Sequence, residues 1–171
     1  MPADVHVRVA TAADIDALIA LFVEVADERL WIGTEPGFDR EAKRRQLESV
    51  VSGENGASFV ASVGDGIVGQ IGVHRHQANG LHIGMMVKPG YRGRGIGTAL
   101  VWAATRWAKA QGEPTLSLLV FPHNAAAIAL YERCGFHQAG RREAYIRRAN
   151  GEWWDAIAMT LDLSTCREGL H

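Results

Sequence analysis

The chain has 171 residues, 18 Lys plus Arg against 19 Asp plus Glu, a formal net charge of -1, and 47% hydrophobic residues. These values are typical of one globular domain and exclude a disordered or fibrous chain. The balanced charge excludes attachment to nucleic acid or anionic lipid by bulk charge, so any anion site must be local. Two cysteines without CxxC spacing, no signal-peptide pattern and no run of about 18 apolar residues predict a cytoplasmic protein without a structural disulfide, metal site or membrane span.

The first part of the chain predicts a strand followed by two helices. Residues 5–10 alternate apolar and polar side chains like a half-buried strand, and Thr11 offers a hydroxyl cap to the helix after it. The glycines and proline of 31–38 interrupt the helical period, and Asp39 can cap a second helix.

Three strands are predicted next. Two of them flank Gly64-Asp65-Gly66, which is a short hairpin signal, and the third, 81–87, follows Ala78-Asn79-Gly80. The second half of the chain predicts a long helix, a strand, a short helix and a hairpin. These elements are 97–112, 115–121, 124–134, and 136–146 with 152–163. Because no internal repeat or linker interrupts this order, we predict one mixed α/β domain.

The segment RGRGIGTAL, residues 92–100, lies between a predicted strand and a predicted helix. Glycines expose backbone N–H groups, and the start of a helix favours anions, so this loop predicts a site for a phosphate-like group. A nucleotide-binding P-loop needs a lysine after its last glycine, but Thr98 follows Gly97. The dinucleotide fingerprint GxGxxG would place its third glycine at Thr98, and no acidic residue ends the next strand to hold a ribose.

Two linked signatures favour a third kind of loop. The pattern R-x-x-G-x-G begins at Arg92, and N-x-x-A-x-x-L-Y-E-R-x-G-F runs from Asn124 to Phe136. Together they resemble the GNAT superfamily of acyl-CoA-dependent N-acetyltransferases, most strongly over 81–136. The resemblance implies an α/β (α+β) fold, with a mixed, largely antiparallel sheet of about seven strands flanked by about four helices. It also implies a single N-acetyltransferase domain over 1–171, with its cofactor-binding core at about 81–136.

The resemblance implies acetyl-CoA as cosubstrate and no metal. The diphosphate would be held by the glycine loop, and the pantetheine arm would pair with the backbone of the strand before it. Asn124 is either a simple N-cap or also a cofactor contact. The expected diphosphate residues are Arg92, Gly93, Arg94, Gly95, Ile96, Gly97 and Thr98, and the expected pantetheine residues are Met85, Met86 and Val87.

Acyl transfer from a thioester to an amine needs a neutral amine, a donor to the developing oxyanion and a proton for the departing thiolate. By resemblance, Tyr131 supplies the proton, and a backbone N–H near Val87 serves the oxyanion where the strand splays at a bulge. The alternative for Tyr131 is a core aromatic. Cys134 could in principle carry the acyl group as an acyl-cysteine. Its position at a helix C-terminus should raise the pKa of its thiol and disfavour the reactive thiolate, so we interpret Cys134 as a core residue.

The general base is less well defined. Some relatives carry a glutamate eleven positions before the first arginine of the loop, where this chain has Leu81, which cannot accept a proton. His82 is adjacent but points to the opposite face of a regular strand. His74 and His76 on the preceding strand have a suitable ordinary pKa, and Glu28 can act through water. An amine that arrives neutral needs no base.

The family places the acceptor between the first two helices and the last hairpin. Aromatic side chains there can enclose an amine, and Glu28 or Glu35 can attract a cation, but packing of the same residues is an equal alternative. The four arginines from 141 to 148 can bind a carboxylate, the adenosine phosphate or water. The expected acceptor residues are Glu28, Trp31, Glu35, Phe38, Tyr145, Trp153 and Trp154.

Three functions remain open from the sequence. The favoured one is acetylation of a primary amine of a small molecule, such as an amino acid, by direct attack in a ternary complex. The second is acetylation of a protein or peptide, which would need a wider and more acidic groove. The third is a CoA-binding module without transfer activity. A homodimer is a further expectation from the resemblance and from the aromatic hairpin.

Overall fold

The structure, a computed structural model, describes residues 4–76 and 80–166. Within them the chain forms seven strands and four α-helices, which confirms the expected fold class. The strands are β1 (Val5–Val9), β2 (Gly56–Val63), β3 (Gly66–His76), β4 (Gly80–Val87), β5 (Thr115–Val120), β6 (His137–Arg147) and β7 (Trp153–Asp162). The helices are α1 (Ile15–Asp27), α2 (Arg40–Val51), α3 (Ile96–Ala110) and α4 (Ala125–Arg133).

All seven strands belong to one sheet, in the order β1-β2-β3-β4-β5-β7-β6. Its ladders are antiparallel except β4 with β5, which pair in parallel from Leu81 with Leu116 to Ile83 with Leu118. Beyond Ile83, β4 continues to Val87 while β5 stays paired with β7 as far as Val120. The two central strands therefore diverge, and this opening sets the place of the candidate site.

The opening does not come from the bulge expected near Val87. The β3–β4 ladder keeps one register from Gly69 with Val87 to His76 with Gly80. The register shifts lie elsewhere, between β2 and β3 at Ala61/Ser62 and between β6 and β7. The expectation of a bulge is corrected here: β5 leaves β4 to follow β7, while β4 stays regular.

The sheet is covered on both faces. One face packs against α3 and α4 in a core that includes Leu81, Ile96, Leu100 and Met159, all 0–1% exposed. The other face packs against α1 and α2 through smaller apolar clusters. Along β4 the side chains alternate between these two faces, so Leu81 belongs to the α3 core and His82 points to the opposite face.

The predicted local signals are largely confirmed. Val63 pairs with Gly66, which makes Gly64-Asp65 a two-residue hairpin turn. Asp39 caps α2 by accepting a hydrogen bond from Ala42 N at 3.0 Å. Thr11 is also an N-cap, of the 3-10 turn Ala12–Asp14 that leads into α1, and it forms a capping box in which its N–H donates to the Asp14 carboxylate at 2.8 Å. Of the predicted Ala78-Asn79-Gly80 turn, the first two residues lie outside the described residues.

Candidate active site

A cavity of about 720 Å³ begins where β4 and β5 separate. At one end it is lined by the glycine loop, the start of α3 and the face of α4. At the other end it is lined by α1, α2, β3, the segment 31–33 and the turn end of the last hairpin. The sheet therefore brings the two halves of the predicted site into one continuous cavity.

The glycine loop presents an open helix N-terminus to this cavity. Gly93 and Gly95 adopt positive φ of 75° and 82°, which favours glycine because other side chains rarely adopt this backbone. Within the residues that the structure describes, no side chain caps α3. Its first N–H groups are free to donate to an anion, so the loop fits the diphosphate of coenzyme A.

Gly97 shows that the loop must also pack closely. A Cβ at this position would lie 2.8 Å from Leu130 Cδ1 and 3.3 Å from Met85 Cε. The close approach brings the start of α3 against α4 and β4. Ile96, which is 1% exposed, turns its side chain into the core, so only its backbone is available to a ligand.

Arg92 is held by contacts with Val87 and Glu28. Its Nε donates to Val87 O at 3.0 Å, and its guanidinium donates to both carboxylate oxygens of Glu28 at 2.8 and 2.6 Å. These hydrogen bonds lower the pKa of the Glu28 carboxyl. Glu28 is therefore an ionised partner of Arg92, and its role as a base or a cation site stays a prediction.

The second arginine of the loop behaves differently. Arg94 is exposed, and its guanidinium carbon lies 5.4 Å from the centre of the Tyr91 ring. Tyr91 lines the cavity, whereas Arg94 lies outside its lining. A role for the Arg94 side chain in diphosphate binding stays a prediction.

The free edge of β4 offers backbone groups to the cavity. Lys88 N donates to Val68 O on β3 at 2.8 Å. Because hydrogen-bonded positions alternate along an antiparallel strand, Met86 faces β3, and the N–H groups of Met85 and Val87 face the opening toward β5. These two N–H groups suit the pantetheine arm and the developing oxyanion.

Tyr131 lies on α4, lines the cavity and is 6% exposed. Burial, and to a lesser degree nearby Cys134, raise its pKa above the ordinary value of a phenol. The hydroxyl therefore keeps its proton across the physiological range. A buried phenol of this kind is suited to donate a hydrogen bond to a developing thiolate more than to lose its proton completely.

Two other residues of the second signature have clear local roles. Asn124 is the N-cap of α4, with its side chain accepting from Ala127 N at 3.3 Å, and it also lines the cavity. Cys134 is buried in the main core, and burial raises its pKa to about 11. This supports the interpretation of Cys134 as a core residue, with burial as the largest cause of the raised pKa.

The structure separates the candidate bases. Leu81 is in the core, whereas His74 and His76 both lie in the exposed last part of β3, where His76 packs against His82 with ring centroids 4.8 Å apart. His74 alone among the candidate histidines lines the described cavity. Desolvation lowers its pKa, as do His76, Lys43 and His82 to smaller degrees. A lowered pKa keeps the imidazole neutral near pH 7.

At the acceptor end, the expected aromatic and acidic residues divide into two groups. Trp31 and Tyr145 line the cavity. Glu35 does not, because it accepts from Ala149 N at 2.9 Å and pairs with Arg148 at 3.4 Å. Both carboxylates are paired with arginines, and the expectation that Glu28 or Glu35 attracts a cation stays a prediction.

The remaining expected acceptor residues lie outside the cavity lining. Trp154 packs edge-on against Phe121, with ring centroids 5.0 Å apart. Trp153 is 59% exposed on the outer side of the hairpin. Phe38 borders a shallower neighbouring hollow. These three side chains support the walls or the surface around the acceptor end.

Arg148 is the most constrained of the four C-terminal arginines. It is 3% exposed, its guanidinium carbon lies 4.0 Å from the centre of the Trp154 ring, and it donates to the carbonyl groups of Ile32 and Gly33 at 3.1 and 3.3 Å. Another of these arginines, Arg141, pairs with Asp155. Arg148 therefore fixes the segment before α2 to the last hairpin.

Three polar residues near the acceptor end were not predicted from the sequence. Lys43 on α2 and Gln70 on β3 line the cavity. His123 is outside the lining, with its ring centroid 5.9 Å from that of Trp31 and its Nε2 2.6 Å from Leu30 O. Burial lowers the pKa of Lys43. The period-two placement of Gln70, Gly72 and His74 within an apolar strand was the signal that could have identified this cavity-facing row.

Two general features of the described residues complete the site. They contain no group of three or more His, Cys, Asp or Glu side chains arranged to hold a metal ion. No helix among residues 4–76 and 80–166 is long and apolar enough to span a membrane.

Comparison with known proteins places the chain in a family. Residues 19–136 match the model of the acetyltransferase (GNAT) family. The chain is 42% identical over 78 residues to the [ribosomal protein bS18]-alanine N-acetyltransferase of Escherichia coli K12. That match covers 46% of this chain and 52% of that enzyme, so it spans about half the length of this curated relative.

Two further similarities extend over nearly the whole chain. The L-methionine sulfoximine/L-methionine sulfone acetyltransferase of Pseudomonas paraeruginosa PA7 is 27% identical over 94% of this chain and 96% of its own length. The Salmonella typhimurium protein yncA, solved with its cofactor acetyl-CoA, superposes with a TM-score of 0.82 at 18% identity, over 98% and 99% of the two chains. At that identity the superposition shows the shared fold alone. The chain belongs to the acetyltransferase (GNAT) family.

Proposed function

We propose that this protein transfers the acetyl group of acetyl-CoA to the primary amine of a compact small molecule that also carries an anionic group, such as an amino acid. The observation that carries this proposal is the lining of the acceptor end. Among the described residues, no Asp or Glu lines the cavity, whereas Lys43 does. A carboxylate beside the amine would be attracted to that ammonium group.

The walls of the acceptor end favour a compact substrate. The segment 31–33 lies over the cavity and is fixed there by Arg148, and Trp31 and Tyr145 contribute aromatic walls. A groove for a protein segment would have to be wider, and one that attracts a free amino terminus would be more acidic. The similarity to an acetyltransferase of methionine sulfone and methionine sulfoximine points to the same substrate class.

The chain's own groups would divide the work as follows. The N–H groups at the start of α3 and the guanidinium of Arg92 bind the diphosphate. The N–H of Met85 or Val87 donates to the carbonyl oxygen where negative charge develops. Tyr131 donates a hydrogen bond to the leaving sulfur. Bound acetyl-CoA supplies the activated acetyl group as a thioester.

A second candidate is transfer to the amino terminus of a peptide. The 42% identity to the bS18-alanine enzyme favours it. That match covers about half of each chain.

We also infer a single domain over residues 1–171, with its cofactor-binding part at about 81–136, and a cytoplasmic location. We also keep the homodimer and the absence of a nucleic-acid partner as predictions.

The test is release of free thiol from acetyl-CoA against a panel of amines. The panel contains L-methionine sulfone, L-methionine sulfoximine, common amino acids, polyamines, aminoglycosides and a peptide that begins with alanine. Each amino acid is paired with its carboxamide, which keeps the amine and removes the negative charge. We expect turnover on amino acids and at least tenfold less on their carboxamides. Turnover on the peptide alone would replace the proposed function by the second candidate.

A further inference from the structure

The imidazole of His74 lies over a bare strip in the wall of the cavity. Gly72 on β3 pairs with Gly84 on β4, and both glycines line the cavity. A Cβ at Gly72 would lie 2.9 Å from His74 Nε2. The ring of His74 is therefore folded back along β3 over Gly72, in the direction of Gln70.

The other side of the strip leads to the place where acyl transfer would occur. Gly84 immediately precedes Met85, whose N–H faces the opening between β4 and β5. At Gly84, a Cβ would meet no atom of the described residues within 4 Å. An amine lying over this glycine pair would have His74 on one side and the open edge of β4 on the other.

The groups around His74 are neutral amide, histidine, lysine and apolar side chains. Gln70 Nε2 lies 3.2 Å from the same Cβ position at Gly72, and it donates to Ser58 Oγ at 3.0 Å. The titratable groups that act on the imidazole are His76 on its own strand, His82 on β4 and Lys43 on α2. The α1 side chains in the cavity are apolar, Phe22 and Val25.

We propose that His74 is the proton acceptor for the attacking amine. This inference rests on the proposed function. As the amine nitrogen bonds to the thioester carbonyl carbon, that nitrogen becomes acidic and its proton passes to His74 Nε2. The C–S bond breaks, the electron pair stays on the sulfur, and the thiolate of coenzyme A leaves beside the Tyr131 hydroxyl. The acetylated amine and free coenzyme A are the products, and His74 returns its proton to water.

The pH dependence follows from the environment of His74. Desolvation and the three cationic or histidine neighbours lower its pKa, so the neutral, proton-accepting form persists to lower pH than for a histidine in water. Its contribution to the rate is then complete at neutral pH and is lost only as the pH falls through a midpoint below about 6.5.

The experiment compares wild type with His74→Gln, using acetyl-CoA and L-methionine sulfone or the panel amine turned over fastest, between pH 5 and 9. We expect kcat/KM for the amine to fall about 100-fold in His74→Gln at neutral pH, with the Kd for coenzyme A within twofold of wild type. The ratio of wild-type to variant kcat/KM should rise with pH through the lowered midpoint and then stay level. His76→Gln, which removes an exposed imidazole on the same strand, should keep the wild-type rate within twofold.

Gly72→Ala gives a second approach that leaves the imidazole present. The added methyl would lie too close to His74 Nε2, so the ring must move, and we expect a rate loss of about tenfold or more with coenzyme A binding retained. A His74→Gln protein with the wild-type rate, or with a loss that is the same at every pH, overturns the inference alone. Wild-type protein without turnover on any panel amine overturns the proposed function and this inference together.

Discussion

Tyr131 is held in its protonated form by burial. In the proposed mechanism this protonated phenol donates a hydrogen bond to the leaving thiolate, and replacement by phenylalanine removes that donor while keeping the ring. We expect Tyr131→Phe to lower kcat by about 100-fold with the Kd for coenzyme A unchanged. Thiol release and calorimetric titration give the two quantities. A variant that turns over at the wild-type rate would show that Tyr131 is only a core aromatic.

In the proposed cofactor site, Arg92 would share its guanidinium between Glu28 and the diphosphate. Glu28→Gln removes the competing carboxylate, so we expect coenzyme A to bind about twofold to fivefold more tightly, with the Kd measured by calorimetry at low salt. Glu24→Gln is the matched control, because Glu24 is an α1 carboxylate that pairs with Lys88 at 3.8 Å. Weaker binding in Glu28→Gln would show that Glu28 instead positions Arg92 for the ligand.

The element that depends most on one side chain is the segment 29–35. Arg148 binds three of its carbonyl groups and pairs with Glu35, so Arg148→Met should release the segment from the hairpin. We expect the free energy of unfolding to fall by about 1.5–3 kcal/mol and the KM for the amine to rise, while coenzyme A affinity is kept. Urea denaturation and steady-state kinetics measure these effects.

Arg147→Met provides the control for that change. Arg147 is the neighbouring residue on the hairpin and is exposed, so its replacement should change the free energy of unfolding by less than about 0.5 kcal/mol. Equal effects of the two variants would show that Arg148 does not hold the segment. An equal rise in the Kd for coenzyme A would place the segment on the cofactor side.

At the scale of the whole molecule, the cavity joins the two layers of helices across the sheet. A ligand that binds only the folded protein stabilises it by about 2.7 kcal/mol at a concentration of 100 times its Kd. For a chain of this length we expect coenzyme A to raise the Tm by about 5–10 °C under that condition. Differential scanning fluorimetry measures the shift. Arg92→Ala should show a smaller shift at the same concentration, and no shift in wild type up to about 1 mM would argue against the assigned cofactor site.

Most of the fold follows from signals that are local in the chain. The turn at Gly64-Asp65, the cap at Asp39 and the glycine loop before α3 depend on backbone conformations and hydrogen bonds within a few residues. The two linked signatures then predicted the family and the seven-stranded sheet. Each of these features is encoded where it occurs, so a reading along the chain is enough to find it.

The contacts that define the acceptor end join residues that are far apart in the chain, so no local sequence signal predicts them. Glu28 and Arg92 are 64 positions apart, and Arg148 meets Ile32 across 116 positions. Glu28 becomes a partner of Arg92 because the sheet brings the end of α1 beside the glycine loop. In the same way, His74 differs from His76 through the bare glycines of β3 and β4 beside it and the cavity above it. Packing determines which distant side chains meet, how exposed they are and how their pKa values shift. This packing is fixed only when the sheet and both helical layers have assembled.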